Sequence, residues 1–199
     1  MAALHYTLLF QHFNRYTALS VEEFEICKRY FKEEEFRLHD LVVKAGQTIY
    51  TQYFVAQGCL RTFFKDEQRD RDFTVQFAVE EWWASDFMAY YNNQPATLQV
   101  ECLEPSILLS IEKKQLALLQ KEVPALETFF LRKLENAFVA FQKRILSNMK
   151  DTAEERYEEF LRQYPNIEPR VKNFQIASYL GITPESLSRI RKARAQSQN

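Results

Sequence analysis

The pattern of apolar and polar positions changes character three times along the chain. Leu19, Phe24, Cys27 and Phe31 recur at helical spacing among Glu22, Glu23, Lys28 and Arg29, and Ser20 with Glu23 makes a capping box, so a helix is predicted over about 21–31. Between Phe36 and Ile111 the texture becomes short runs rich in Val, Ile, Thr, Phe and Tyr. Turn-forming groups separate these runs: Ala45-Gly46-Gln47, Gln57-Gly58, Lys65 to Asp70, Asn92 to Pro95, and Glu104-Pro105. Many short strands at regular spacing predict an antiparallel sandwich or barrel. Helical spacing returns at Lys113 to Leu119, breaks at Pro124, and then runs from about Ala125 to Met149. There Leu126, Phe130, Leu134, Ala137, Phe141, Ile145 and Met149 form a stripe flanked by Phe129, Phe138 and Leu146. The stripe is wider than one contact requires, which predicts a helix that lies on its own β domain and also faces a second copy in a parallel homodimer; burial on its own domain alone is the alternative. A further helix over about 153–163 starts at Thr152 as N-cap, with Glu154 and Glu155 in its first turn, and stops at Tyr164-Pro165.

The stretch from Asn173 to Lys192, NFQIASYLGITPESLSRIRK, meets the physical requirements of a helix-turn-helix. Such a unit needs a small residue where its helices cross, a residue tolerant of left-handed backbone at the turn, and inward apolar residues on the second helix. Ala177 is the small residue, Gly181 stands at the turn, and Ile182, Leu187 and Ile190 point inward. Thr183 caps the second helix and Pro184 suits its first position. With Leu187 and Ile190 inward, the outward face presents Glu185, Ser186, Ser188, Arg189 and Lys192. A Glu accepts from cytosine N4, an Arg forks onto guanine, and hydroxyls and Lys hold phosphate. Any two amphipathic helices joined by a Gly turn give a similar pattern.

Charge supports the same end of the chain. The net charge is −1, but from Pro169 onward six cations stand against one anion, a net of +5 that leaves −6 on residues 1–168. A basic terminus on an acidic body is expected when one end meets phosphate, and a solvated charged tail gives the same asymmetry. Only three glycines occur, so the modules are joined by structured chain rather than flexible linker. Cys27, Cys59 and Cys102 are odd in number and far apart, which fits neither a disulfide framework nor a CxxC pair, and they read as buried apolar residues. His5, His12 and His39 are equally dispersed, so no metal site is expected. No apolar run approaches the roughly 20 residues that cross a bilayer, and no basic segment with a cleavage site opens the chain, so a cytoplasmic location without membrane contact is expected.

IASYLGITPESLSRIRK resembles the helix-turn-helix of the Crp/Fnr superfamily, with Glu185 and Arg189 where that family places its principal base-contacting Glu and Arg. YFVAQGCLRTFF, from Tyr53 to Phe64, is similar to a strand pair of the family's β-roll with Gly58 at the turn, and Thr152 to Arg156 resembles the opening of its DNA-binding domain. The resemblance covers nearly the whole chain. It implies an α+β protein: an N-terminal antiparallel β-roll of the cyclic-nucleotide-binding type with flanking helices (1–123), a long dimerisation helix (124–150), and a shortened helix-turn-helix domain (151–199). The dimer-helix positions would be Leu126, Phe130, Leu134, Ala137, Phe141 and Ile145, and the DNA-contacting ones Thr183, Glu185, Ser186, Ser188, Arg189 and Lys192. Two departures stand out. The chain stops soon after the recognition helix, and 164–173 is too short for a full wing hairpin.

Family members that bind cyclic nucleotides use Gly-Glu for the ribose and, about ten residues on, Arg-Ser or Arg-Thr for the phosphate. The matching stretch places Ala84 and Ser85 at the first pair and Ala96 with Thr97 at the second, and it carries no Lys or Arg from Glu81 to Leu103. A phosphodiester taken out of water without a cation incurs a cost of several kcal/mol, so cyclic AMP and cyclic GMP are not expected to bind and no cofactor is expected. Trp82 and Trp83 with these four residues mark the candidate effector pocket, in which aromatic density is equally a plain β-roll core. The resemblance therefore implies a sequence-specific, homodimeric regulator that binds double-stranded DNA, with RNA polymerase as a further candidate partner, and a β-roll signal that shifts the long helix. The alternative is an effector- or protein-binding β-roll dimer whose DNA-binding domain is degenerate. An enzyme is disfavoured: no Ser/His/Asp set, phosphate loop or HExxH occurs.

Overall fold

The computed structural model describes residues 2–197. Its strands are β1 (Lys32–Phe36), β2 (Leu41–Val43), β3 (Thr51–Gln57), β4 (Leu60–Asp66), β5 (Arg71–Ala78), β6 (Trp83–Ala84), β7 (Gln99–Cys102) and β8 (Ser106–Glu112). They form two four-stranded antiparallel sheets, ordered β1-β8-β3-β6 and β2-β7-β4-β5. Chain neighbours β3 and β4 fall in different sheets, so the turn between them crosses from one layer to the other. Gly58 makes that turn at φ +113°, and a Cβ there would collide with the Ser106 side chain and come within 2.8 Å of its Cα. The core between the layers is apolar, with Val43, Val55, Leu60, Val100, Cys102 and Leu108 all buried.

Helices close the outer face of the first sheet. These are α1 (Ala2–Phe13), α2 (Val21–Lys28), α4 (Lys113–Glu122) and the first turns of α5 (Ala125–Lys150). Leu9, Phe13, Phe24, Phe54, Leu119 and Phe129 meet in this layer. The capping box at Ser20 is present, with the Ser20 hydroxyl accepting from Glu23 N–H and the Glu23 carboxylate accepting from Ser20 N–H. The helix it starts ends at Lys28 rather than Phe31, and Phe31 turns into the core ahead of β1. That strand begins four residues before the expected β texture. Its sequence, KEEEF, is set by pairing with β8 against strand propensity.

The long helix over Ala125–Lys150 is as expected, and its packing is not. Leu126 and Phe129 are buried and Phe130 half-buried on the β-roll, whereas Leu134, Ala137, Phe141 and Ile145 are exposed. The helix buries apolar side chains on its own domain only over its first two turns, and beyond them it touches that domain through the polar side chains of Lys133, Asn136 and Arg144, so the buried and exposed parts of the stripe lie in different segments. Beyond it come α6 (Ala153–Gln163), α7 (Asn173–Leu180) and α8 (Pro184–Ser197). Thr152 caps α6 in a capping box with Glu155.

These last helices share a core with the β-roll. Phe77 of β5 has ring centroids 5.9 Å from Phe160, 6.0 Å from Tyr164 and 5.6 Å from Tyr179, and Trp82 lies 5.1 Å from Tyr164. Cys59 and Leu103 join the same cluster. Buried aromatic pairs contribute about 0.5–1.5 kcal/mol each beyond their area. Ser178 of α7 adds a polar contact to β5, the edge strand of its sheet: its hydroxyl accepts from Thr74 N–H at 2.9 Å and donates to the Asp72 carbonyl at 2.9 Å.

Candidate functional site

The helix-turn-helix forms as its residues require. Gly181 ends α7 in the left-handed region at φ +68°, and the Ile182 N–H returns to the Ala177 carbonyl at 3.0 Å. Ala177 is buried at the crossing, and Leu187 and Ile190 are buried beneath α8. Thr183 Oγ1 accepts from Ser186 N–H at 3.2 Å, which caps α8 ahead of Pro184. With those two anchors inward, Thr183, Glu185, Ser188, Arg189 and Lys192 are exposed and Ser186 is half-buried. Arg189 donates to the Ser186 hydroxyl at 3.1 Å, within the same face. Glu185 is held below the usual carboxylate range by a hydrogen bond from its own backbone amide, then by Thr183 and Arg189, so it is ionised and acceptor-only at neutral pH.

The basic terminus divides into two populations. Arg191 turns inward, its Nε donating to the Tyr157 hydroxyl at 3.0 Å and its Nη2 pairing with Glu168 at 2.8 Å. Arg170 pairs with Glu80 and Glu104 of the β-roll. Lys172, Arg189, Lys192 and Arg194 are exposed. The sequence asymmetry therefore counts two arginines that serve packing.

Of the six residues expected to mark an effector pocket, Ala84 and Ala96 share one buried cluster with Trp82 packed against it, and the others make separate contacts. Trp82 packs on Tyr164 of the C-terminal helices. Trp83 packs beside Phe54 and Phe130, and its indole N–H donates to His12 Nε2 at 3.2 Å. Ala84 and Ala96 are buried between the sheets, and Ser85 donates to the Thr51 carbonyl at 2.9 Å. Thr97 contributes its backbone rather than its hydroxyl. Its N–H and that of Leu98 donate to Asp86 Oδ2 at 2.8 and 2.9 Å, while Asp86 Oδ1 accepts from Ala89 N–H at 3.1 Å. Asp86 is fully buried and caps α3 (Phe87–Asn92).

This carboxylate and the helix it starts went unread in the sequence. The available signal was an Asp immediately before an apolar run. Cations also approach from outside the cassette. Lys113 donates to the Tyr90 and Tyr91 carbonyls at 2.9 and 3.2 Å and to Asn93 Oδ1 at 3.0 Å, at the negative end of α3. Lys133 of α5 donates to Gln52 at 3.0 Å and lies 4.0 Å from the Trp83 ring centroid, and burial lowers its pKa well below the ordinary lysine value. Among the described residues, no group of three or more His, Cys, Asp or Glu is placed to hold a metal, and no helix is long and apolar enough to cross a membrane. Burial pushes the Cys27 and Cys59 thiols up to about 12 and Cys102 up to about 11, so none is a thiolate at neutral pH.

The architecture is that of a β-roll with a long helix and a C-terminal helix-turn-helix. Comparison with solved structures gives it a family likeness. A CooA mutant from Carboxydothermus hydrogenoformans superimposes with a TM-score of 0.68 at 16% identity, covering 85% of this chain and 78% of that one. FixK2 from Bradyrhizobium japonicum gives 0.65 at 16% identity, covering 84% and 86%. A putative Crp/Fnr-family transcriptional regulator from Eubacterium rectale gives 0.65 at 14% identity, covering 89% and 85%. The chain has the Crp/Fnr-like α+β fold. No family model matches the chain, and no curated protein matches it.

Proposed function

We propose that this protein is a dimeric, sequence-specific regulator that binds double-stranded DNA through α8 without a cyclic nucleotide. The observation that carries this reading is α8 itself: Leu187 and Ile190 anchor it while Glu185, Ser188, Arg189 and Lys192 lie open on the opposite face. Arg189 forks onto guanine, Glu185 accepts from cytosine, and Lys192 with the hydroxyls positions the helix on phosphate. The second copy docks along α5. Beyond Phe130, Leu131, Leu134, Phe138, Phe141 and Ile145 recur at alternating steps of three and four, and all are exposed. Two reading helices set about 34 Å apart then enter successive major grooves of a palindromic site.

Failure to bind cyclic nucleotide is supported by the cassette. The backbone N–H groups of Ala89, Thr97 and Leu98, which could receive an anion, already hold the Asp86 carboxylate, and an added phosphodiester would face that charge. The nearby lysines, Lys113 and Lys133, are engaged by neutral acceptors.

The test is binding to sites selected from random DNA. Arg189→Ala is expected to weaken specific binding more than nonspecific binding, by about 1–3 kcal/mol, whereas Lys192→Ala weakens both alike. Equal loss on selected and random DNA for both variants would remove base reading from Arg189. One observation favours the alternative, a β-roll dimer with a degenerate DNA-binding domain: no strand lies between α6 and α7, so phosphate contacts from a wing are missing there. Retention on genomic DNA that does not fall as salt rises would favour that alternative.

A further inference from the structure

The C-terminal unit is held to its own β-roll by a charged clamp as well as by the shared core. Arg170 lies between α6 and α7. Its Nη1 and Nη2 donate to the two carboxylate oxygens of Glu80 at 2.9 Å each, and its Nη2 and Nε reach Glu104 Oε1 at 2.6 and 3.2 Å. Glu80 follows β5 and Glu104 sits in the turn between β7 and β8, so one guanidinium joins two separate turns of the β-roll. Glu80 also accepts from Gly58 N–H at 2.9 Å, at the crossover between the sheets. Burial works against the charged form of Glu80, and the hydrogen bonds from Arg170 and the Gly58 amide outweigh it and hold that carboxyl below its usual range. A guanidinium forked onto a carboxylate fixes direction as well as distance, which a lysine ammonium cannot do.

The remaining contacts act on the same side. Ser178 engages the edge of β5, and Arg144 of α5 lies 4.3 Å over the Tyr179 ring and donates to the Val75 carbonyl. None of them touches Ser188, Arg189 or Lys192, which stay exposed while the unit is docked. The docked arrangement therefore leaves the later turns of the reading face open, while Thr183 and Glu185 at its start line a cleft shared with Lys65, Asp70 and Arg71 of the β4–β5 hairpin.

We propose that Arg170 is a positioning residue for DNA recognition: through Glu80 and Glu104 it fixes each α8 at one orientation on its β-roll, so that the two reading helices of a dimer keep a single separation. The proposal rests on the DNA-binding reading above. A palindrome rewards that fixed geometry, because a reading unit free to rotate loses orientational freedom on binding and a fixed one has none to lose.

The test compares wild type with Arg170→Gln, Arg170→Lys and Glu104→Gln on the selected palindrome, on the palindrome with its half-sites moved apart by about two base pairs, and on an isolated half-site. Wild type is expected to prefer the native spacing by about tenfold or more, and Arg170→Gln to reduce this to about twofold while half-site affinity stays within about twofold. Arg170→Lys and Glu104→Gln fall between. A merely structural role would lower half-site and palindrome binding together, and that result overturns the proposal. So does an Arg170→Gln variant that keeps the spacing preference, or one that binds the palindrome more tightly than wild type, which would make the clamp a brake. Hydrogen exchange on the same proteins separates failure of the functional reading from failure of the clamp. If wild type selects no DNA, the functional reading and the positioning role fall together. Faster exchange confined to α6, α7 and α8 in Arg170→Gln then retains the clamp as an anchor, and unchanged exchange removes that too.

Discussion

His12 is the residue whose surroundings most change its chemistry. It lies between Phe54 and Phe129, at ring distances of 5.1 and 5.3 Å, and its Nε2 accepts from the Trp83 indole. Burial, then the charges of Arg15 and Lys133, lower its pKa to about 4. The unfolded chain takes up this proton near the ordinary histidine value of about 6.5 and the folded chain only near 4, so acid favours unfolding across that window. The thermal midpoint is expected to fall between pH 7 and pH 4.5, and to fall less in His12→Gln, which keeps an acceptor and does not titrate. Equal slopes in a scanning-calorimetry series would dismiss the role of His12. Asp86 is the second such position. Asp86→Ala leaves the N–H groups of Ala89, Thr97 and Leu98 without their acceptor, and a loss on the order of 2–4 kcal/mol is expected in urea unfolding. Asp86→Asn retains one carbonyl and is expected to lose about half as much. Neither residue was legible as special. The role of His12 depends on helices α1 and α5 meeting, and that of Asp86 on a loop eleven residues away.

At the scale of elements, what the sequence revealed follows from how local each signal is. The capping box at Ser20, the N-cap at Thr152, the Gly181 turn and the bounds of α5 and α6 were readable because each is decided within a few residues. α1, AALHYTLLFQHF, has no acidic residue in its first turn, and α3 is a single aromatic-rich turn and a half. β1 carries a run of glutamates that only its partner strand makes extended. The α5 stripe was legible as apolar but not as divided, because which turns touch the β-roll depends on where α4 delivers the chain. That division yields a prediction. Phe138 is 59% exposed and contacts no core cluster, so Phe138→Glu is expected to convert a dimer to a monomer in sedimentation equilibrium with little change in far-UV circular dichroism. A monomeric wild type, or a dimeric variant, contradicts the proposed seam. Gly58→Ala tests the sheet crossover: the left-handed backbone and the collision with Ser106 are expected to cost more than about 1 kcal/mol.

At the scale of the molecule, the packing crosses the boundaries that the chain order suggests. Phe77, Cys59 and Leu103 of the β-roll share one cluster with Tyr157, Phe160 and Tyr164 of the C-terminal helices, and a large apolar interface couples domains that otherwise move independently. Trp82 reports on that interface and Trp83 on the N-terminal helical layer. Fluorescence of Trp82→Phe and Trp83→Phe variants is therefore expected to give urea midpoints that coincide with each other and with circular dichroism. Separated midpoints would show two independent units. The sequence disclosed the modules through texture and charge, but not their fusion, since Phe77 and Tyr164 read as ordinary core positions of different domains.

Ser178 has a consequence for the sheet it touches. Its hydroxyl occupies the backbone of β5 at Thr74 and Asp72, on the open side of the second sheet. Were the C-terminal helices cut away by a protease or lost through truncation, an eight-residue strand would stand with unpaired amides beside bare aromatic rings, a template for cross-chain pairing. The isolated β-roll should then be recovered as aggregate where the full chain remains dispersed, so the C-terminal helices also act as the sheet's guard against fibrils.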